Sequence, residues 1–152
     1  MNQNMSSAIK TIRLKPDGST YAVAAGTSDL NSDVVDMAGY EGVRFIIGFG
    51  TITSGAVTSI KVQQGQASNL SDAADLAGSA ITVADTDDNK LAISEIFRPQ
   101  ERYVRLVTDR GTQNAVVDFL VAELYGARKL PITQDATVIS AEIANSPAEG
   151  TA

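Results

Sequence analysis

Short runs of β-branched and aromatic residues recur along this chain at intervals of about ten residues, each closed by glycine, proline, asparagine or aspartate. That rhythm admits strands and leaves little room for helices. Residues 8–14 alternate and stop at Lys15-Pro16-Asp17-Gly18, a strong turn signal. Residues 20–25 read as a second short strand, and residues 34–37 as a short extended piece. In residues 43–50, Val43, Phe45, Ile47 and Phe49 fall on one face, the pattern of a core strand. Gly48 and Gly50 interrupt it, which predicts a bulge or a close backbone approach. Ile60 and Val62 flank Lys61, Ile81 and Val83 point inward from the next run, and Leu91, Ile93 and Phe97 alternate around Glu95.

Residues 103–126 give the strongest pairing signal. Two β-rich runs flank a turn at Arg110-Gly111-Thr112, the pattern of a β-hairpin. The second run is apolar on both faces, with Val117, Phe119, Val121 and Tyr125 on one side and Val116, Leu120, Ala122 and Leu124 on the other. A strand of that kind is covered on both sides. The core covers one face, and the chain's own tail or another subunit covers the other. The one helical candidate is residues 69–78, where Leu70, Ala73, Ala74 and Ala77 share a face, Asn69 or Ser71 can cap the start and Gly78 can close the end. About two turns need support from a sheet.

About eight short strands predict an all-β fold, an antiparallel β-sandwich of jelly-roll kind with one short helix and an extended C-terminal arm. The division is a flexible N-terminus over residues 1–7, a sandwich body over residues 8–129 and an arm over residues 130–152. The arm has no aromatic residue, and its β-like content is Val138, Ile139 and Ile143. It is either a disordered terminus or a segment ordered on a neighbour's sheet edge.

The 152 residues contain no cysteine and no histidine. This removes disulfides, thiolate nucleophiles, zinc–thiolate sites and the Ser-His-Asp and Cys-His arrangements. Carboxylate catalysis remains open, although Asp29, Asp33 and Asp36 come with no nucleophile. No apolar run approaches the ~20 residues that span a bilayer, and residues 1–7 have no signal-peptide character, so synthesis in a cytoplasm is expected. The net charge of −6 disfavours a nucleic-acid partner. Its distribution is uneven: residues 1–97 carry 11 acids and 6 bases, residues 98–129 carry 4 acids and 6 bases, and residues 130–152 carry 3 acids and no base. The basic stretch reads as scattered solvated charge or as a complementary subunit contact.

Asp85, Asp87 and Asn89 place oxygen donors at alternate positions, as calcium loops begin. Lys90 stands where such a loop needs glycine, and the late glutamate is missing, so an acidic turn is the favoured reading. Aromatic residues make up 5% of the chain and tryptophan is absent, which counts against a sugar-stacking face. No cofactor is expected. The expected interface residues are Arg102, Arg105 and Arg110 from the basic stretch, Val117, Phe119, Val121 and Tyr125 from the last strand, and Leu130, Val138, Ile139 and Ile143 from the arm.

Three segments carry a family resemblance: Asp36-Met37-Ala38-Gly39-Tyr40-Glu41-Gly42-Val43-Arg44-Phe45, Arg98-Pro99-Gln100-Glu101-Arg102-Tyr103-Val104-Arg105 and Ala127-Arg128-Lys129-Leu130-Pro131. Together they resemble small virion proteins of tailed bacteriophages, of the kind that decorate or cement the capsid. The resemblance implies a non-catalytic β-sandwich that binds the outside of a phage head and stabilises the shell. The implied partners are the major capsid protein and copies of itself, as a dimer or trimer, with no nucleic acid and no membrane. The implied location is the capsid exterior of the virion, after synthesis in the host cytoplasm. A head–tail connector or tail component, a glycan- or ligand-binding module and a carboxylate-dependent hydrolase stand as alternatives.

Overall fold

The computed structural model describes residues 4–111 and 114–151; Thr112, the last residue of the expected hairpin turn, lies outside them. Within these residues a four-residue helix α1 (Met5–Ala8) precedes ten strands. They are β1 (Lys10–Leu14), β2 (Leu30–Asn31), β3 (Val35–Asp36), β4 (Gly42–Ile52), β5 (Thr58–Gly65), β6 (Ala74–Asp75), β7 (Ile81–Val83), β8 (Leu91–Phe97), β9 (Tyr103–Asp109) and β10 (Ala115–Tyr125). One sheet has the order β1-β10-β4-β8. In the other, β9 and β5 form the centre, β2 and β3 share the outer side of β9, and β6 and β7 share that of β5.

All pairs are antiparallel, and they nest: β5 with β6 and β7, β4 with β8, β2 and β3 with β9, and β1 with β10. This is one long hairpin rolled into two layers, the jelly roll that the strand rhythm predicted.

The layers meet through alternate residues. Val43, Phe45, Ile47 and Phe49 of β4 are buried as the alternation predicted, facing Ile60 and Val62 of β5 and Val104 and Leu106 of β9 in one cluster. On β10, however, the alternation changes phase. Val117 pairs with Phe49 and Phe119 with Gly48, so Asp118 is an extra residue, a β-bulge. Val117 therefore joins the core with Leu120, Ala122 and Leu124, while Phe119, Val121 and Tyr125 turn to the outer face. Strict alternation had placed Val117 with the outer set, and the bulge corrects that.

The segment expected to be a hairpin is a corner. β9 and β10 lie in different sheets and do not pair. Arg110 sits at the crossing, 4% exposed. Its Nε donates to Ser28 C=O (3.0 Å) and its Nη1 to Ala24 C=O (2.8 Å) and Ala115 C=O (2.9 Å). Burial pushes the guanidinium pKa down from its ordinary value, while Asp17 and Asp29 oppose that shift.

The expected helix over residues 69–78 is a series of turns around β6. Leu70 takes a φ of 52°, Asp72 carboxylate oxygens accept from the Gln66 and Ala67 amides, and Ala74 and Asp75 pair with Gln64 and Gln63. Asparagine carboxamide and aspartate carboxylate oxygens bonded to nearby amides outcompete so short a helix. Residues 20–25 contribute a single bridge, Val23 to Val117.

The beginning of the arm is bound to the body. After Gly126 the chain passes a cis Leu130–Pro131 bond and runs along the outside of β1. Gln134 Oε1 accepts from the Thr11 amide (2.9 Å), and its Nε2 donates to Ser6 C=O (3.1 Å) and Ile9 C=O (2.8 Å). The Thr137 hydroxyl accepts from the Arg13 amide (2.9 Å), and the Ile132 amide donates to Ser7 C=O (3.0 Å). Residues 4–7, expected to be loose, are thus held as α1 against residues 132–134. Asp135 caps the turn by accepting from the Thr137 amide and hydroxyl and lies 3.6 Å from Lys10. Burial tends to raise its pKa, but the Thr137 bonds and Lys10 outweigh it and hold the carboxyl below its ordinary value.

Arg110→Ala strips three carbonyls of their donor and is expected to cost roughly 3–5 kcal/mol. Urea unfolding that matches the parent would contradict the corner assignment. Gln134→Ala is expected to cost about 1 kcal/mol and to speed hydrogen exchange at Thr11 without global unfolding. The folded pKa of Asp135 lies below its unfolded value of 3.8, so its contribution is complete above that pH and fades as pH falls through the folded value. Amide shifts of Thr137 and Arg13 in an acid titration should therefore move before the core amides do.

Candidate assembly surfaces

The outer face of the β1-β10-β4-β8 sheet is built in rows across the strands. Leu91, Gly48 and Phe119 form one row, and Ile93, Ile46, Val121 and Arg13 the next. Glu95, Arg44, Glu123 and Thr11 follow, then Phe97, Gly42 and Tyr125. The two glycines explain the aromatic positions. A Cβ at Gly48 would overlap the Phe119 ring, and one at Gly42 the Tyr125 ring, so both rings lie flat across β4.

Laid over Gly42, the Tyr125 hydroxyl donates to Glu95 on β8. Burial, and then Glu95, push its pKa up to about 12. Arg44 and Glu123 pair at 3.0 Å. From β8 to β10 the first two rows thus form an apolar surface, closed at the β1 end by Arg13 and bounded by a charged row. Leu91 and Ile93 are 58% and 49% exposed, and Phe97 is 58% exposed at the far end.

The other expected interface residues separate. Arg102 forms a bidentate pair with Asp36 (2.9 and 2.8 Å). That pair holds the Asp36 carboxyl below its ordinary value and the guanidinium above its own. Arg105 on β9 donates twice to Oε1 of Gln63, its cross-strand neighbour on β5. Arg110 and Val117 are interior residues and leave the interface set. The basic stretch is therefore no single patch: Arg110 is buried, Arg102 and Arg98 are paired with Asp36 and Glu41, and Arg105 is bonded to an amide. Phe119, Val121 and Tyr125 share the outer face described above. Val138 is half-buried, lining a cleft with Met5, Ile9 and Thr11. Leu130 and Ile143 are exposed, and Ile139 is fully so at 105%.

Leu91, Ile93 and Phe97 were the residues missed. Their alternation was visible, but alternation does not say which face is the core. Alanine at 92, serine at 94 and isoleucine at 96 are in fact the inward residues on this strand.

The candidate metal loop is an acidic turn. Asp85 Oδ2 accepts from the Gly55 amide (2.7 Å) and Asp87 Oδ2 from the Ala84 amide (2.9 Å). Asn89 takes a φ of 57° and donates its amide to Gly50 C=O (3.2 Å). Lys90, followed by the Ala84 amide, holds the Asp87 carboxyl below its ordinary value. The oxygens of this loop serve different backbone segments, and no group of three or more potential ligands converges among the described residues.

No family model and no curated protein matches the chain. Several solved structures align with most of the chain at low similarity. A Bacillus endospore appendage protein of a family of disulfide-linked pili aligns at 9% identity over 82% of this chain and 96% of its own, with a TM-score of 0.45. The CBM22-1–GH10 portion of a Clostridium thermocellum xylanase aligns at 10% identity over 86% of this chain, which spans 28% of the xylanase chain, with a TM-score of 0.43. A xylan-binding module, CBM15, aligns at 10% identity over 85% of this chain and 97% of its own, with a TM-score of 0.42. Each likeness concerns the β-sandwich outline alone.

Proposed function

We propose that this chain is a structural subunit of a phage particle, a decoration or cement protein that binds the outer surface of the capsid and stabilises it without catalysis. The observation that carries this reading is the outer sheet face, apolar over two consecutive rows from β8 to β10, joined in one molecule to an arm that holds Ile139 and Ile143 in solvent. A contiguous apolar face on a small domain is characteristic of an interaction surface. An arm anchored through Thr137, with Val138 half-buried against the body and residues 139–143 exposed, adds a second contact at high effective concentration. The family resemblance of residues 36–45, 98–105 and 127–131 supports placing that surface on a phage head. The major capsid protein and further copies of this chain are the partners this reading requires.

Cryo-EM of the particle that contains this chain is the decisive measurement. Density in many copies at repeating sites on the outer head surface is expected. Density confined to the neck or tail would sink the decoration reading in favour of a connector or tail component. Val121→Lys, on the half-buried outer face, is expected to weaken association with purified heads strongly. It should move the melting temperature of the isolated protein by no more than about 4 °C, because surface-facing changes cost within about 1 kcal/mol. Unchanged association would show that this face is not the contact.

A further inference from the structure

The two sheets have four edges among the described residues, and they are treated differently. In the β9–β5 sheet both are blunt, formed by β2 and β3 on one side and β6 and β7 on the other, each two or three residues long. In the other sheet, the β1 edge is closed by Gln134 and Thr137. The fourth edge is β8, seven residues long.

Its hydrogen-bonding phase follows from its ends. The Phe49 amide donates to Lys90 C=O (3.0 Å) and the Arg98 amide to Glu41 C=O (2.7 Å). Residues facing the neighbour alternate in an antiparallel ladder, so Ala92, Ser94 and Ile96 also turn their peptide groups to β4. Leu91, Ile93, Glu95 and Phe97 turn theirs away from the sheet. These are also the residues whose side chains stand on the exposed outer face. Beside them the sandwich is unfilled towards β7, where a cleft of about 330 Å³ is lined by Phe49, Ile81, Val83, Leu91 and Ile93.

We propose that β8 is the acceptor edge for residues 138–143 of a second copy of this chain, which adds as a further strand. This deepens the assembly reading above and rests on it, and it names the self-contact. Six extended residues cover about 20 Å against about 23 Å for β8. Their sequence, Val-Ile-Ser-Ala-Glu-Ile, places Ile139, Ala141 and Ile143 on one side of such a strand, so that with Ile139 beside Ile93 the isoleucines meet Ile93 and Phe97 and the small Ala141 faces Glu95. Residues 138–152 carry two acids and no base, while the ends of β8 are flanked by Lys90 and Arg98, whose side chains are 62% and 68% exposed. Their surface pairs with Asp87 and Glu41 hold them weakly.

The donor must come from another molecule. Thr137 is fixed outside β1, and a seat outside β8 lies five strand spacings away, about 24 Å. Even Ile143, six residues beyond Thr137, reaches only about 20 Å, so the segment cannot lie along its own β8 while the arm stays anchored. One donor and one acceptor per copy generate a reciprocal dimer, a closed ring or an open filament, according to the rotation between copies.

The chain has no cysteine, which provides a clean background for cross-linking. Full-length Ile139→Cys and Ile93→Cys variants, mixed and mildly oxidised, are expected to form the mixed disulfide in several-fold excess over either homodimer. Statistical mixing, an absence of disulfide, or a dominant Ile93→Cys homodimer would overturn the proposal, the last by showing edge-to-edge pairing. Independently, Ile93→Pro removes only an outward amide, a change that edge strands tolerate. It should lower self-association in sedimentation equilibrium as much as Ile139→Asp does, and Ile93→Lys provides the same block without proline. Combining donor and acceptor changes should cost nothing further. Self-association untouched by all of them would refute the contact. Capsid binding that persists without the mixed disulfide would remove this inference and leave the decoration reading standing; the mixed disulfide without capsid binding would do the reverse.

Discussion

A rolled hairpin holds only if the two ends of the chain meet, and here they meet at β10. That strand lies between β1, which begins more than a hundred residues earlier, and β4, with which it shares its longest register. Closing so long a loop costs entropy that grows only slowly with length, and it is offset where the strands pack. Val117, Leu120, Ala122 and Leu124 are at most 1% exposed, and a fully buried valine or leucine contributes roughly 1.5–3 kcal/mol. The Asp118 bulge allows β10 to give Val117 to one end of the core and Leu120 to the other while Phe119 and Tyr125 cross the glycines of β4. The core, the outer face and the point where the arm departs all depend on the placement of this strand.

The strands were legible because their side chains alternate, and the core face of β4 was legible residue by residue. What could not be read were relations between strands. The runs 103–109 and 115–125 have the spacing of a hairpin, and only the interior position of Arg110 shows that the chain changes sheets there. A charged residue in a polar turn gives no sign that it will be surrounded by carbonyls. The bulge was hidden for a similar reason: Val116, Val117, Phe119 and Leu120 are all apolar, so a one-residue shift leaves the pattern looking unbroken. Residues 69–78 have a helical face, but the Asn69 and Asp72 side chains take local amides in place of a helix.

The candidate surfaces were legible in part. Phe119, Val121 and Tyr125 were found because the last strand has more apolar residues than one core face can use. The arm residues stood out because they are apolar in a polar tail. Arg102 and Arg105 were misleading, since charge counted along the sequence says nothing about Asp36 or Gln63 waiting across a strand. The binding of the arm's beginning was invisible because it relies on Gln134, whose amide offers both a donor and an acceptor and so takes the place of a peptide group beside β1. A side chain in that role seals the edge without extending the sheet, which leaves the following residues unpaired.

That economy at β1 gives the state of β8 its meaning. Long apolar edges invite association, and natural sheets blunt them with lysine, proline, bulges or short strands. This chain uses short strands at two edges and an anchored arm at a third. At β8 it uses none of them: the seven residues contain no proline and no lysine, and their single charge is Glu95. Tyr125 reaches across Gly42 to bond that carboxylate, which draws the charge towards β4 and away from the open side. The Arg44–Glu123 pair neutralises the neighbouring positions of the same row. An edge left long and largely apolar, with its one carboxylate held towards β4, in a molecule that protects the other three, is where the proposed strand addition has its physical basis.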